Sequence, residues 1–138
     1  FCVTGFERER PELAALALVP DALWLAAATT GAGADIAALA RQVRALGQAG
    51  DLLLAITIAG NEPAMLEAVQ AAHERDMTVV ALTGRDGGAL ATLLRETDVQ
   101  ICVPHDRPAR VREVHALVLH CLCDGVDAQL LGEQENPI

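Results

Sequence analysis

Short aliphatic runs alternate along this chain with segments whose apolar residues recur at helical spacing. Such runs are typical of strands in a parallel sheet, because both faces of that sheet are buried and need apolar side chains. Strands that alternate with helices indicate βαβ units, and therefore an α/β fold with a parallel sheet. The sequence predicts four strands and a weaker fifth candidate, Ala22–Ala28; the four are Leu13–Leu18, Asp51–Thr57, Thr78–Thr83 and Val99–Val103.

Four helices are predicted between and after these runs. Pro63 lies in the first turn of one segment, and Gly47 and Gly132 follow two others as C-terminal stops. The predicted helices are Asp35–Leu46, Glu62–Arg75, Gly88–Leu94 and Arg107–Leu131. A chain of 138 residues has the size of one domain, which we expect to span residues 1–132, with residues 133–138 as a polar tail.

Composition and charge argue against several classes of function. The formal net charge of −9 disfavours direct binding of nucleic acid, which requires a basic surface. No uninterrupted apolar run approaches the roughly 20 residues that a membrane-spanning helix needs. The four cysteines lack the spacing of a metal site, since Cys121 and Cys123 would point apart on one helix. These features predict a cytoplasmic protein with no membrane partner and no bound metal.

Ligands of parallel α/β sheets bind beyond the carboxyl ends of the strands, where loops enter helices. The loops in this position are Thr57–Glu62, Thr83–Gly88 and Pro104–Arg110. In the first loop Thr57 offers the only hydroxyl and Glu62 would repel a phosphate, so a plain strand-to-helix turn is the favoured interpretation. In the second loop Arg85 could contact an anion, but a tight turn that needs positive φ explains the glycines more simply.

Polar side chains on the predicted C-terminal helix form another candidate site. Glu113 and His120 are seven residues apart and so share one helix face. A carboxylate and an imidazole on one face could bind a metal or move a proton between adjacent sugar carbons. From spacing alone, a histidine packed at a subunit contact is the favoured interpretation.

Similarity to the core of sugar isomerase (SIS) domains covers Gly50–Gly88, which reads GDLLLAITIAGNEPAMLEAVQAAHERDMTVVALTGRDGG. More narrowly, the segment resembles the phosphoheptose isomerase branch, which includes the DnaA initiator-associating protein DiaA. The resemblance extends over FERERPELAALAL (Phe6–Leu18), RQVRALGQAGD (Arg41–Asp51) and ARVREVHALVLHCLCDGVD (Ala109–Asp127). The resemblance implies a three-layer α/β/α sandwich with a flavodoxin-like parallel sheet. It also implies a homo-oligomer, namely a tetramer whose sites lie at subunit interfaces.

The resemblance also assigns site residues, few of which keep the family's side chains. The family's serine-rich loop STSGNS corresponds to Thr57–Glu62, where the first hydroxyl, Gly60 and Asn61 remain. Arg112 stands where the family has a metal-ligating Gln, and a guanidinium has no lone pair to donate. His120 matches the second catalytic position of the isomerases. The implied phosphosugar-binding residues are Thr57, Gly60, Asn61, Glu62, Thr83 and Arg112, with His120 as a catalytic remnant and no metal ligand.

The family's isomerases begin with a strand, a glycine-rich phosphate loop and a helix, none of which precedes Phe1. The resemblance therefore implies a domain that lacks its N-terminal strand and helix here. In the family's strand order that strand lies in the middle of the sheet. We expect either a longer native chain or another segment that fills the slot, because unpaired strand edges lose many hydrogen bonds.

The altered site predicts a non-catalytic protein that resembles DiaA and acts through protein–protein contacts, with a replication initiator as the candidate partner. The alternative is a phosphoheptose isomerase that converts sedoheptulose 7-phosphate to the aldoheptose phosphate through an enediol. In that alternative His120 moves the proton, and zinc is the metal. A protein that binds a sugar phosphate without turning it over is a third interpretation.

Overall fold

Within the part of the chain that the structure describes, three parallel strands form a sheet in the order β1-β2-β3: β1 (Leu52–Ile56), β2 (Thr78–Gly84) and β3 (Val99–Val103). The structure is a computed structural model and describes residues 6–18 and 34–132. Leu53 pairs with Val79 across the first ladder, and Leu82 pairs with Ile101 across the second. The predicted α/β fold with a parallel sheet is confirmed.

Four helices lie among the described residues, and each is within one residue of its predicted bounds: α1 (Ala34–Leu46), α2 (Pro63–Glu74), α3 (Gly88–Leu93) and α4 (Pro108–Leu131). Pro63 begins α2 as expected, because the first residue of a helix has no intrahelical use for its N–H group. The backbone N–H of Gly47 donates to the carbonyl oxygen of Val43, which ends α1.

The chain divides into two compact units. The first comprises Leu18–Val111 and contains the sheet, the first three helices and the first turn of α4. The second comprises Phe1–Ala17 and Arg112–Ile138, and contains the rest of α4.

The core of the first unit consists mainly of small aliphatic side chains. Helix α2 packs on β1 and β2, and α1 packs against α2. Alanine at the contact positions lets the helix backbones come close to each other and to the sheet. The buried residues of this core are Ala40, Val43, Ala55, Ala68, Val69, Ala71, Ala72, Val79, Ala81 and Leu90.

The other face of β1 is exposed. Leu52, Leu54 and Ile56 are 58%, 40% and 44% exposed, whereas Ala55 between them is buried in the core. Within residues 34–132, β1 pairs with β2 on one side only. Parallel strands are normally buried on both faces. The expectation of a further strand beside β1 therefore stays a prediction.

The predicted strand Leu13–Leu18 is wrong. These residues carry no regular secondary structure, and Leu16 is 68% exposed. An apolar run becomes a strand only where a neighbouring backbone accepts its hydrogen bonds, and no strand in the described part of the chain pairs with this one. The weaker candidate Ala22–Ala28 lies outside the described residues.

Helix α4 exposes aliphatic side chains along most of its length. Val114 and Leu122 are each 39% exposed, and Leu117 is 61% exposed. By length and composition α4 could cross a membrane, although the core helices of ordinary soluble proteins pass the same test. A buried ion pair in the second unit joins Arg10 to Asp127 of this helix, with Nε and Oδ1 2.5 Å apart.

Candidate functional site

A pocket of about 420 Å³ lies where the carboxyl ends of β1, β2 and β3 enter their loops. Parallel strands place all their carboxyl ends at one sheet edge, so residues distant in sequence meet there. The pocket is lined by Asn61, Arg85, Asp86, Pro104 and Asp106. It coincides with the three loops that the sequence predicts as the ligand-binding edge.

The loop Thr57–Glu62 connects β1 to α2 and is closed by its own side chains. The hydroxyl of Thr57 accepts a hydrogen bond of 3.0 Å from the backbone N–H of Gly60. The same hydroxyl donates to Oε2 of Glu62 at 2.5 Å. Thr57 is buried, whereas Glu62 is exposed. The structure thus brings these predicted site residues together, but they bind one another.

The first residues of α3 hold this loop in place. The carbonyl oxygen of Gly60 accepts from the N–H of Leu90 at 2.9 Å, and Oδ1 of Asn61 accepts from the N–H of Ala89 at 2.8 Å. Gly60 has φ +72°, and a Cβ there would collide with the carbonyl oxygen of Gly87. Gly60 is therefore required by backbone conformation and by close approach of two loops.

The turn after β2 combines left-handed backbone with charged side chains. Arg85 has φ +54° and Gly87 has φ +87°, which confirms that the glycine-rich sequence forms a tight turn. Oδ1 of Asp86 accepts from the N–H of Gly88 at 3.0 Å. At the end of β2, Gly84 lies against Ile58 and Val111, so a Cβ there would come within 2.7 Å of Val111 Cγ1. Arg85 is the one cationic side chain among the five that line the pocket.

Thr83 faces the interior. Its side chain is fully buried, and its hydroxyl accepts a hydrogen bond of 3.1 Å from Nε2 of Gln100. This places it inside the sheet layer and not among the residues that line the pocket. Its predicted role as a phosphosugar ligand stays a prediction that this geometry does not favour.

Arg112 and His120 lie on α4, in the second unit, and both are exposed. The imidazole of His120 lies against the ring of Phe6, with ring centroids 5.0 Å apart and planes tilted by 34°. An aromatic neighbour of this kind restricts the orientation of the imidazole. Glu113, predicted to share a face with His120, is exposed as well.

A metal such as the implied zinc would need several donor side chains close together. The described residues include no group of three or more His, Cys, Asp or Glu side chains that could hold an ion. Arg112, at the position where the resemblance implies a ligand, presents a permanent positive charge and no lone pair. The chain's own donors in the described part therefore do not fit the implied zinc.

Sequence reasoning missed Asp86, Pro104 and Asp106 as lining residues. The loops that contain them were predicted to be at the ligand edge, but their side chains gave no recognisable motif. The available signal was position alone, since polar residues directly after buried parallel strands converge at one edge. Arg85 is the only cation among the five lining residues. Together with the carboxylates of Asp86 and Asp106, it gives the lining side chains a formal charge of −1.

Comparison with known proteins assigns this arrangement to a family. The SIS domain model matches residues 2–84. A phosphoheptose isomerase of Methylibium petroleiphilum is 60% identical over 134 residues, which cover 96% of this chain and 66% of the relative. A phosphoheptose isomerase of an Azoarcus species is 55% identical over 133 residues, covering 94% of this chain and 66% of the relative.

Solved structures of phosphoheptose isomerases also resemble this chain. The phosphoheptose isomerase of Neisseria gonorrhoeae has a TM-score of 0.79 and 50% identity, covering 85% of this chain and 63% of that one. The enzyme of Francisella tularensis has a TM-score of 0.81 and 41% identity, covering 89% of this chain and 64% of that one. This chain thus spans just under two thirds of the length of the relatives it matches.

The expectation of a non-catalytic, DiaA-like protein is wrong. Relatives at 51% to 60% identity are named phosphoheptose isomerases, and so are the structural neighbours. The expectation rested on a few altered side chains, whereas the similarity to phosphoheptose isomerases extends over more than 130 residues. It also overlooked that hydrogen bonds of Thr57 and Asn61 hold the backbone of the loop after β1.

Proposed function

Because this chain belongs to the SIS domain family, and within it to the phosphoheptose isomerase branch, we propose that it acts in the interconversion of a ketoheptose phosphate and an aldoheptose phosphate. The observation that carries the proposal is the 60% identity over 134 residues to a phosphoheptose isomerase. The polar pocket at the carboxyl edge of the sheet supports it, because a sugar presents many hydroxyl groups for such side chains to bind.

The substrate's phosphate would meet the loop between β1 and α2. Thr57, Gly60 and Asn61 form this loop, which ends at the positive end of the α2 dipole. Oδ1 of Asn61 is occupied by the N–H of Ala89, so its side-chain NH₂ group is left as a donor. Arg85 adds a positive charge at the pocket wall.

The proton transfer falls to His120 in this proposal. Interconversion of a ketose and an aldose removes a proton from one carbon and returns it to its neighbour, while a hydroxyl proton moves in the opposite sense. Histidine suits this task because its ordinary pKa lies near neutrality. Its exposure and its ring contact with Phe6 leave the imidazole accessible and oriented.

The test is turnover of sedoheptulose 7-phosphate by the full-length protein. We expect His120→Gln to lower kcat by about 100-fold or more, the usual contribution of general acid–base catalysis. Cys121→Ser is the matched control, since Cys121 is an exposed neighbour on the same helix. No turnover by the parent protein, with or without added zinc, would refute the proposal; an equally active His120→Gln variant would refute the role of His120.

We also propose that the protein is a homo-oligomer of the cytoplasm, with the tetramer as the expected state. The exposed aliphatic side chains of α4 support self-association, because a surface helix of a monomer rarely presents so many of them. They are Val114, Leu117, Leu122, Val126, Leu130 and Leu131. The α/β architecture of the described residues is consistent with a soluble protein.

A further inference from the structure

Glu62 directly precedes helix α2, but its side chain does not cap the helix. Side chains at this position normally accept hydrogen bonds from the first backbone N–H groups of the helix. Glu62 makes no such bond, and its carboxylate reaches back to the hydroxyl of Thr57. The carboxylate therefore lies across the β1–α2 loop itself.

This contact uses the hydroxyl proton of the loop. A threonine hydroxyl has one proton to donate, and Thr57 donates it to Glu62. Thr57 is 5% exposed and also accepts from Gly60, so its hydroxyl is held in this direction. The remaining loop groups are fixed as well, since Gly60 and Asn61 bond to the segment around Ala89. Glu62 is exposed, and it is the member of this cluster that can move away.

We propose that Glu62 is an internal competitor for the phosphate position, and so determines which charge the loop admits. Its carboxylate accepts the same hydroxyl proton that a phosphate oxygen would accept. A phosphate dianion must displace it and meets like-charge repulsion from it, whereas a neutral sugar hydroxyl meets none. This inference rests on the proposed function, because it concerns the phosphate of that substrate.

Phosphate affinity in Glu62 variants tests the inference. Titration calorimetry with inorganic phosphate, and separately with sedoheptulose 7-phosphate, is done on the full-length protein. Glu62→Ala removes both charge and occupancy, and we expect its Kd for each ligand to fall about tenfold or more. Glu62→Gln keeps an acceptor but removes the charge, so its Kd should fall by less. Glu96→Gln, an exposed acid before β3, is the control and should leave Kd unchanged.

A double variant checks the role of the hydroxyl. In Thr57→Val combined with Glu62→Ala, the donor that Glu62 releases is missing, so most of the gain in affinity should be lost. Circular dichroism and Tm identify any variant that fails to fold. An equal Kd for the parent and a folded Glu62→Ala variant would overturn the inference, as would a full gain in the double variant.

The two proposals fail separately. If the parent protein does not turn over sedoheptulose 7-phosphate but Glu62→Ala still gains affinity for inorganic phosphate, the isomerase proposal fails and the competitor role of Glu62 stands. If the protein is an active isomerase whose KM is unchanged by Glu62→Ala, the competitor role fails and the enzyme stands.

Discussion

Nε2 of His73 lies 2.6 Å from Oδ2 of Asp98, and both side chains are almost completely buried, 7% and 1% exposed. Asp98 also accepts hydrogen bonds from the backbone N–H groups of Val79 and Arg95. One carboxylate thus joins the end of α2, the start of β2 and the loop before β3. This cluster lies at the amino ends of the strands, opposite the candidate site, and we assign it to stability.

Acid should weaken this cluster. Burial opposes ionisation of Asp98, but the N–H groups of Arg95 and Val79 and the imidazole of His73 together lower its pKa below the ordinary value. The unfolded chain then binds more protons than the folded chain at acidic pH, so stability falls as pH falls through the folded pKa. The contribution is complete above about pH 5, and its loss proceeds at up to about 1.4 kcal/mol per pH unit.

Asp98→Asn tests this dependence. Urea unfolding between pH 3 and pH 7 should show the variant less stable by about 2–3 kcal/mol at pH 7, with the difference shrinking below pH 5. Glu96→Gln removes a nearby exposed carboxylate and should follow the parent curve. Parallel curves for the parent and Asp98→Asn would show that Asp98 has no special role.

The buried ion pair between Arg10 and Asp127 should be sensitive to loss of one partner. Their side chains are 1% and 3% exposed, and Oδ2 of Asp127 is a buried oxygen without a hydrogen-bond partner within the described residues. Arg10→Met leaves a buried carboxylate uncompensated and should cost about 3–5 kcal/mol.

Replacing both partners should restore most of that loss, because Arg10→Met with Asp127→Leu leaves no buried charge. Arg8 donates to the carbonyl oxygen of Gly132 at the surface, so Arg8→Met should change stability by less than about 0.5 kcal/mol. A double variant less stable than Arg10→Met in thermal unfolding would contradict this account.

Gly60→Ala should destabilise the protein, since φ +72° disfavours alanine and its Cβ would collide with the backbone of Gly87. We expect a loss of at least about 2 kcal/mol in the free energy of unfolding, and weaker phosphate binding. Gly125→Ala is a control of opposite sign, because Gly125 lies within α4 with open space around it. It should gain about 0.5–1 kcal/mol. Equal unfolding midpoints for the two variants would disprove the prediction.

Leu117→Glu should reduce the oligomeric state. Leu117 is 61% exposed on α4, and a carboxylate there would have to be desolvated on association. Light scattering after gel filtration should show a smaller mass than the parent. Leu46→Glu changes an equally exposed leucine, 57% exposed at the end of α1, and should keep the parent mass. A parent protein that is already monomeric would refute the assembly.

The periodicity of the sequence was sufficient for the helices and for three strands. Alternation of apolar runs with helical stripes depends on local geometry, and Pro63, predicted in the first turn of a helix, is the first residue of α2. The strand predicted at Leu13–Leu18 was wrong because its composition matches a strand but its backbone has no pairing partner among the described residues. Strand pairing depends on hydrogen bonds to a neighbouring segment, and the sequence of one apolar run does not show whether such a segment is present.

The sequence by itself determined the parallel α/β architecture, the family and the edge of the sheet where ligands bind. Periodicity, turn residues and strand direction all depend on residues that are close together in the sequence. Only the tertiary structure decided the use of individual side chains at that edge. It turned Thr83 inward, brought Asp106 to the pocket wall and laid Glu62 across the hydroxyl of Thr57. A side chain's partner depends on distances between loops that are far apart in sequence, and composition and spacing do not contain those distances.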